Sequence, residues 1–212
     1  MDRKFLSLAL GLVLTMLSAG RAMGAINNPS FEADGDLLWL DSGNATGWTD
    51  NVASPFGGNV AAFNYHTDGL YGARVFTTTS GTFSAGTDAR VSQSVDLTGV
   101  GQLLFDAKLS VHSYTISFPS WQSFAEAAFY VDSTMKWSSQ TPGTYADQAI
   151  DVTGLSGLHT LSFRLQANSA GSGGDDISNW FEFDNVRAVP EPASLSLLAL
   201  GGLALLGRRR RA

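Results

Sequence analysis

Apolar positions fall into three regimes along the 212 residues. They run unbroken from Phe5 to Leu17, alternate with polar residues in short stretches through the middle, and run almost unbroken again from Ala193 to Gly207. The middle regime has the period of a strand, in which successive side chains point to opposite faces. In Leu103–Val111, residues Leu103, Phe105, Ala107, Leu109 and Val111 share one face, while Asp106, Lys108 and Ser110 share the other. Phe124–Val131 repeats this with Ala125, Ala127, Phe129 and Val131, and His159–Ala167 sets Leu161, Phe163 and Leu165 against Thr160, Ser162 and Arg164. Further strands are predicted over Ser30–Ala33, Val60–Tyr65, Ala73–Thr78, Val91–Leu97, Met135–Ser138, Gln148–Val152 and Trp180–Val186. Asn168–Asn179, with Gly171, Gly173 and Gly174, reads as the longest loop. Ten short strands without a helix-period segment predict an all-β, two-sheet antiparallel sandwich with solvated outer faces.

The two unbroken runs are different objects. Arg3 and Lys4 precede the first, and small residues follow it, which is the layout of a secretory signal peptide. Cleavage after Gly24 sets Ala22 and Gly24 at the small-residue positions, and cleavage after Ala25 is the neighbouring alternative. The run is short for an uncleaved span, which needs about 20 residues. At the other end stands Val189-Pro190-Glu191-Pro192, then the second apolar run, then Arg208, Arg209, Arg210 and Arg211. Pro190 and Pro192 lack an N–H and are expected to stop any strand arriving from the domain. The run can be helical from Ser194, with Gly201-Gly202 as a weak point or packing site, and the arginines would stay on the cytoplasmic side.

Pro-Glu-Pro, a short apolar helix and a terminal arginine cluster, in that order, resemble the PEP-CTERM sorting signal. The resemblance implies an exosortase-type membrane enzyme as partner, cleavage near Pro190-Glu191-Pro192, and transient insertion in the inner membrane. It also implies delivery to the surface or extracellular matrix of a Gram-negative bacterium. A plain C-terminal membrane anchor is the alternative, with the same physics at the membrane stage. The chain thus divides into 1–24, a signal peptide, 25–188, a β-sandwich domain, and 189–212, a sorting tail with a hydrophobic helix.

Setting the ends aside changes the charge. The domain keeps six basic residues (Arg74, Arg90, Lys108, Lys136, Arg164, Arg187) against 17 acidic ones, so its charge is −11, whereas the whole chain carries −6. That sign disfavours nucleic acid and fits divalent cations and neutral ligands better. There is no cysteine, so stability must come from core burial or a metal.

Three segments of the domain resemble jelly-roll, galactose-binding-like sandwiches found among carbohydrate-binding modules. They are Asn28-Pro29-Ser30-Phe31-Glu32 followed by Gly47-Trp48-Thr49; Val91–Thr98 leading into the Leu103 strand; and Gly157–Arg164 followed by Phe181-Glu182-Phe183-Asp184-Asn185-Val186. The resemblance implies a jelly roll with first and last strands adjacent, Trp48 in the core, and a structural calcium ion held by Glu32 and Asp184. Asp34, Asp36, Asp175 and Asp176 are acidic loop residues with a weaker claim on a cation. Glycan binding, to the cell's own exopolysaccharide, would need aromatic rings beside amides and carboxylates. The candidate rings are Trp39, Tyr65, Tyr71, Trp121, Tyr130 and Trp180; Trp121, after Pro119, is expected to be the most exposed, and Tyr130 shares an outer face with Glu126. The competing reading of each ring is ordinary packing.

Catalytic motifs are missing from the sequence. His66, His112 and His159 are isolated, and no Gly-x-Ser-x-Gly elbow occurs. Paired carboxylates for glycoside hydrolysis are invisible in a sequence, and no motif selects two of the 17 acids. The expectation is therefore a non-enzymatic surface module, with a structural surface protein lacking a saccharide site as the alternative.

Overall fold

The computed structural model describes residues 26–33, 45–62, 64–115, 117, 120–173 and 176–191. One five-stranded sheet has the order β1 (Thr49–Asn51), β5 (Asp88–Asp96), β10 (Leu158–Ala167), β7 (Ala125–Val131), β8 (Thr134–Ser139). The other has the order β2 (Phe56–Ala61), β3 (Gly72–Thr77), β12 (Ile177–Pro190), β6 (Val100–Ser113), β9 (Gly143–Asp151). β4 (Thr82–Phe83) and β11 (Gly171–Ser172) form a separate ribbon. All pairings are antiparallel, and the two large sheets make a jelly-roll sandwich. Among the described residues, no helix is long and apolar enough to cross a membrane. The signal segment, Trp39, Asp34, Asp36, Pro119, Asp175, Pro192, the second apolar run and Arg208–Arg211 lie outside the described residues.

The alternation read from the sequence sets the core. β10 sends Leu161, Phe163 and Leu165 inward, and β12 answers with Phe181 and Phe183, all fully buried. Phe163 lies flat on Phe183, with centroids 4.2 Å apart and planes 7° apart. The rings of Trp48, Phe105, Phe129 and Phe181 surround it at 4.8–6.1 Å. Such ring pairs add about 0.5–1.5 kcal/mol each beyond their buried area.

The opening segment departs from its predicted strand. Ser30–Ala33 is a turn, and Phe31 sits at φ 59° with its ring buried between Trp48 and Phe183. A left-handed residue costs about 1–2 kcal/mol, and burying a phenylalanine ring returns about 1.5–3 kcal/mol, so the ring decides the backbone. Buried Gln93 fastens the same segment by accepting Asn27 N–H and donating to the Asn27 and Gly47 carbonyls. Trp48 is core, as expected, and its indole N–H bonds the Asn28 carbonyl. Val186 N–H donates to the Pro29 carbonyl at 3.0 Å, which sets the opening segment beside the last strand.

Other boundaries also shift. β2 begins and ends earlier than Val60–Tyr65 because the chain after Ala61 leaves the sheet and crosses its outer face. β9 begins at Gly143, before Gln148, and the 168–179 loop contains β11. Pro190 does not stop the last strand. β12 runs through it, with Pro190 opposite Val100 after a register shift, a strand-end position where a missing N–H breaks no regular ladder.

Phe163→Ala removes the ring that five others contact. It is expected to cost about 3–5 kcal/mol, read as a fall in the urea midpoint at unchanged m-value, and a loss under about 1 kcal/mol would contradict this account of the core.

Candidate functional site

The outward face of β12 carries Glu182 and Asp184, yet both are buried, at 3% and 0% exposure. The β2–β3 connection lies over them and turns its backbone N–H groups down. Tyr65 N–H donates to Glu182 Oε1, and Thr67 and Asp68 N–H both donate to Asp184 Oδ2. Asp106, the cross-strand partner of Asp184 on β6, accepts from the Thr67 hydroxyl, Asp147 N–H and the Asn185 amide. Glu32 reaches the same loop from the opening segment, where its Oε1 accepts Leu70 and Tyr71 N–H at 2.7 Å. Ser30 donates to Asp68 Oδ2 at 2.7 Å.

The two central carboxyls respond in opposite directions. Burial pushes the Asp184 carboxyl up, and nearby Asp68 adds to the rise, against the N–H bonds from Thr67, Asp68 and Asn185. Burial also acts upward on Asp106, but the bonds from Thr67, Asp147 and Asn185 and the Arg187 guanidinium outweigh it and hold that carboxyl below the usual range. Asp184 Oδ1 is buried with no hydrogen-bond partner. That orphaned oxygen, with Asp68 beside it, has the hard anionic chemistry of a calcium ligand. Among the described residues no three Asp, Glu, His or Cys side chains form a metal cage, so a cation here would also need carbonyl oxygens.

A second constellation lies on the outer face of the other sheet. Tyr130 on β7 donates to Gln166 Oε1 on β10 at 2.9 Å, and Glu126 Oε2 accepts from Gln166 at 3.1 Å and Asn168 at 2.6 Å. Burial would raise the Glu126 carboxyl, but bonds from Asn168, Ser138 and Gln166 prevail and hold it low. Arg164 lays its guanidinium over the Tyr130 ring at 4.1 Å, and its Nε donates to Ser162. Beside these, Asp88, Arg90, Arg164, Gln166 and Asn168 line an open, polar cavity of about 400 Å³. The shared face of Tyr130 and Glu126 was legible in the alternation. Asp88, Arg90, Gln166 and Asn168 were missed, because the register that joins β5, β10 and β7 carries no local signal.

Among the described residues, the remaining candidate rings are not brought together. Trp121 is half-buried against the core with its indole N–H on the Ala125 carbonyl, as the other described candidate rings are half-buried too. Its neighbour Gln122 is tied to Asn179 and Thr77, so the segment packs instead of standing away. Tyr71 also packs on the core, and the Tyr65 ring stands 6.0 Å from Lys108 Nζ. Trp180 lies on the outer face of the second sheet. His112 stacks on its indole at 4.7 Å and the Arg74 guanidinium lies 4.1 Å from the ring. These come from β6 and β3, the strands on either side, and with Trp180 they line an open cavity of about 350 Å³. Tyr114, 78% exposed, is the open ring of that cluster.

At the end of β12 the chain remains attached to the domain. Glu191 N–H donates to the Gly99 carbonyl, and its carboxylate accepts Gly154 N–H at 3.4 Å. Residues 188–211 match the PEP-CTERM protein-sorting motif. The motif makes this an exported chain that uses an exosortase, with a membrane-anchored C-terminal sorting tail. Its first residues, Ala188 to Glu191, belong to the folded domain. No curated protein matches the chain. Among solved structures, TmCBM61 in complex with β-1,4-galactotriose is 13% identical, with 80% of this chain and 100% of that one covered and a TM-score of 0.41. A CBM4 structure is 13% identical over 79% and 100%, with a TM-score of 0.37. The xyloglucanase domain of NopAA, a type three effector from Sinorhizobium fredii, in complex with cellobiose, is 9% identical over 68% and 93%, with a TM-score of 0.36.

The raised Asp184 carboxyl has a defined pH signature. A group whose folded pKa is raised contributes stability that is present below its unfolded pKa and lost as pH rises through the folded one. In chelator at neutral pH, Asp184→Asn is therefore expected to melt higher than wild type, and the difference should close as pH falls toward about 4. A lower melting temperature for Asp184→Asn in chelator would show that the buried charge is stabilised by something other than a metal.

Proposed function

We propose that the chain is a non-enzymatic, cell-surface or matrix β-sandwich that binds glycan on the outer face of its first sheet. The carrying observation is the cluster of Tyr130, Arg164, Gln166, Asn168 and Glu126 beside the polar cavity. Amides, a carboxylate and guanidiniums offer both donors and acceptors to sugar hydroxyls, and the Arg164–Tyr130 stack holds its groups in place before a ligand arrives. Exosortase-type cleavage near Pro190-Glu191-Pro192 would release the domain from its membrane tail.

The non-enzymatic reading rests on what covers the carboxylates. Asp106 and Asp184 are cross-strand partners, as a hydrolytic pair could be, but loop N–H groups and side chains already bond to them. A structural surface protein without a saccharide site is the second reading. It is favoured by the contacts that His112 and Arg74 already make with the Trp180 ring and by the packed position of Trp121. In affinity electrophoresis of the full chain in detergent, polysaccharide gels are expected to retard the protein, and Gln166→Ala to weaken retention about tenfold, the loss of about 1.4 kcal/mol of polar contact. Unretarded migration in every polysaccharide would select the structural reading.

Structural calcium is the companion proposal. Asp184 Oδ1 and Asp68 would take the ion, and Glu32 would hold the loop that carries Asp68. A ligand that binds only the folded state raises its stability by mass action. Calcium in millimolar excess is expected to raise the melting temperature of the wild type and not of Asp184→Asn. Identical melts with calcium and with chelator would remove the metal from this account.

A further inference from the structure

We propose that the cavity on the first sheet takes a carboxylate-bearing sugar, a uronic acid residue of an acidic polysaccharide, with its carboxylate between Arg90 and Arg164. This rests on the glycan-binding reading and narrows it. Arg90 and Arg164 are directly opposed across the β5–β10 pair. Like charges opposed in this way destabilise a sheet, and the sequence could have avoided it at a solvated position. One carboxylate is shared between them: Asp88 Oδ1 lies 3.2 Å from Arg90 Nη2, and Oδ2 lies 3.8 Å from Arg164 Nη1. The triad therefore keeps one positive charge in excess.

Both guanidiniums have capacity for a second anion. Arg90 Nε is buried without a hydrogen-bond partner, so turning the side chain toward an incoming carboxylate sacrifices no bond at that nitrogen. Arg164 is held by Ser162 at Nε and by the Tyr130 ring, and it lines the cavity beside Arg90. A fixed planar fork suits carboxylate recognition. The domain as a whole carries six basic against 17 acidic residues, so its long-range field repels anions. Two of its six cations nevertheless meet at this one cavity. The amides of Gln166 and Asn168 beside them suit sugar hydroxyls, which separates an acidic sugar from a bare anion.

The test is affinity electrophoresis of the full chain in detergent against polygalacturonate, alginate, carboxyl-reduced polygalacturonate and dextran sulfate at equal ionic strength. At least one uronate polymer is expected to retard the protein, with affinity at least tenfold higher than for the carboxyl-reduced polymer. Arg90→Gln should abolish that preference. Asp88→Asn, which removes the competing carboxylate and leaves the fold's apolar core untouched, should strengthen uronate binding. Equal retention by the carboxyl-reduced polymer overturns the acidic-sugar inference and leaves glycan binding standing. Equal or stronger retention by dextran sulfate overturns it too, since the cavity would then read charge alone. Weaker uronate binding by Asp88→Asn counts against the Arg90–Arg164 placement. Retention by no polymer removes the glycan reading, and this inference with it.

Discussion

The structure depends on the strict alternation of Phe181, Glu182, Phe183 and Asp184 in the middle of a sheet. Because successive strand side chains point to opposite faces, the two rings must enter the core and the two carboxylates must leave it. The rings meet Phe163 and make the aromatic centre between the sheets. The carboxylates cannot remain bare under the β2–β3 connection, so they take its N–H groups and thereby position it. Core packing on one face and loop placement on the other are consequences of the same four residues.

That arrangement separates the two sides of the molecule by chemistry. On the second sheet Glu182, Asp184 and Asp106 are bonded internally, and among the described atoms of these three carboxylates Asp184 Oδ1 is the buried oxygen without a partner. On the first sheet the polar side chains point outward into an open cavity and bond mainly to one another. A buried carboxylate with a free oxygen suits a cation that stabilises the fold. Half-buried guanidiniums, with amides beside them at the edge of an open cavity, suit a ligand that comes and goes. The sorting motif adds a constraint of place, since its first residues are the last residues of β12 and tie the membrane tail directly to the sandwich.

Legibility followed the range of the interactions. Leu103–Val111 and His159–Ala167 were readable because a strand buried on one face writes its period into consecutive residues. The short β1, β4 and β11 were not, since two or three residues carry no period. Ser30–Ala33 was misread because its backbone is decided by where the Phe31 ring can be buried, and that place is built by Trp48 and Phe183. The packing of the Trp121 stretch was hidden for a similar reason: a proline-flanked segment reads as a loop, and only the fold ties Gln122 to Asn179.

The sequence by itself determined the architecture and the address. Two-residue periodicity leaves an all-β sandwich as the economical way to bury one face of every strand, and the terminal motif is contiguous, so it needs no fold to be recognised. Tertiary structure alone decided which polar residues act together. Arg90 and Arg164 are far apart in sequence, and only strand register makes them opposed. Asp106, Asp184 and Thr67 are likewise brought together by a loop that crosses a sheet. Register is a property of paired strands, fixed by which faces are buried, so a site built across strands has no local trace in any one of them.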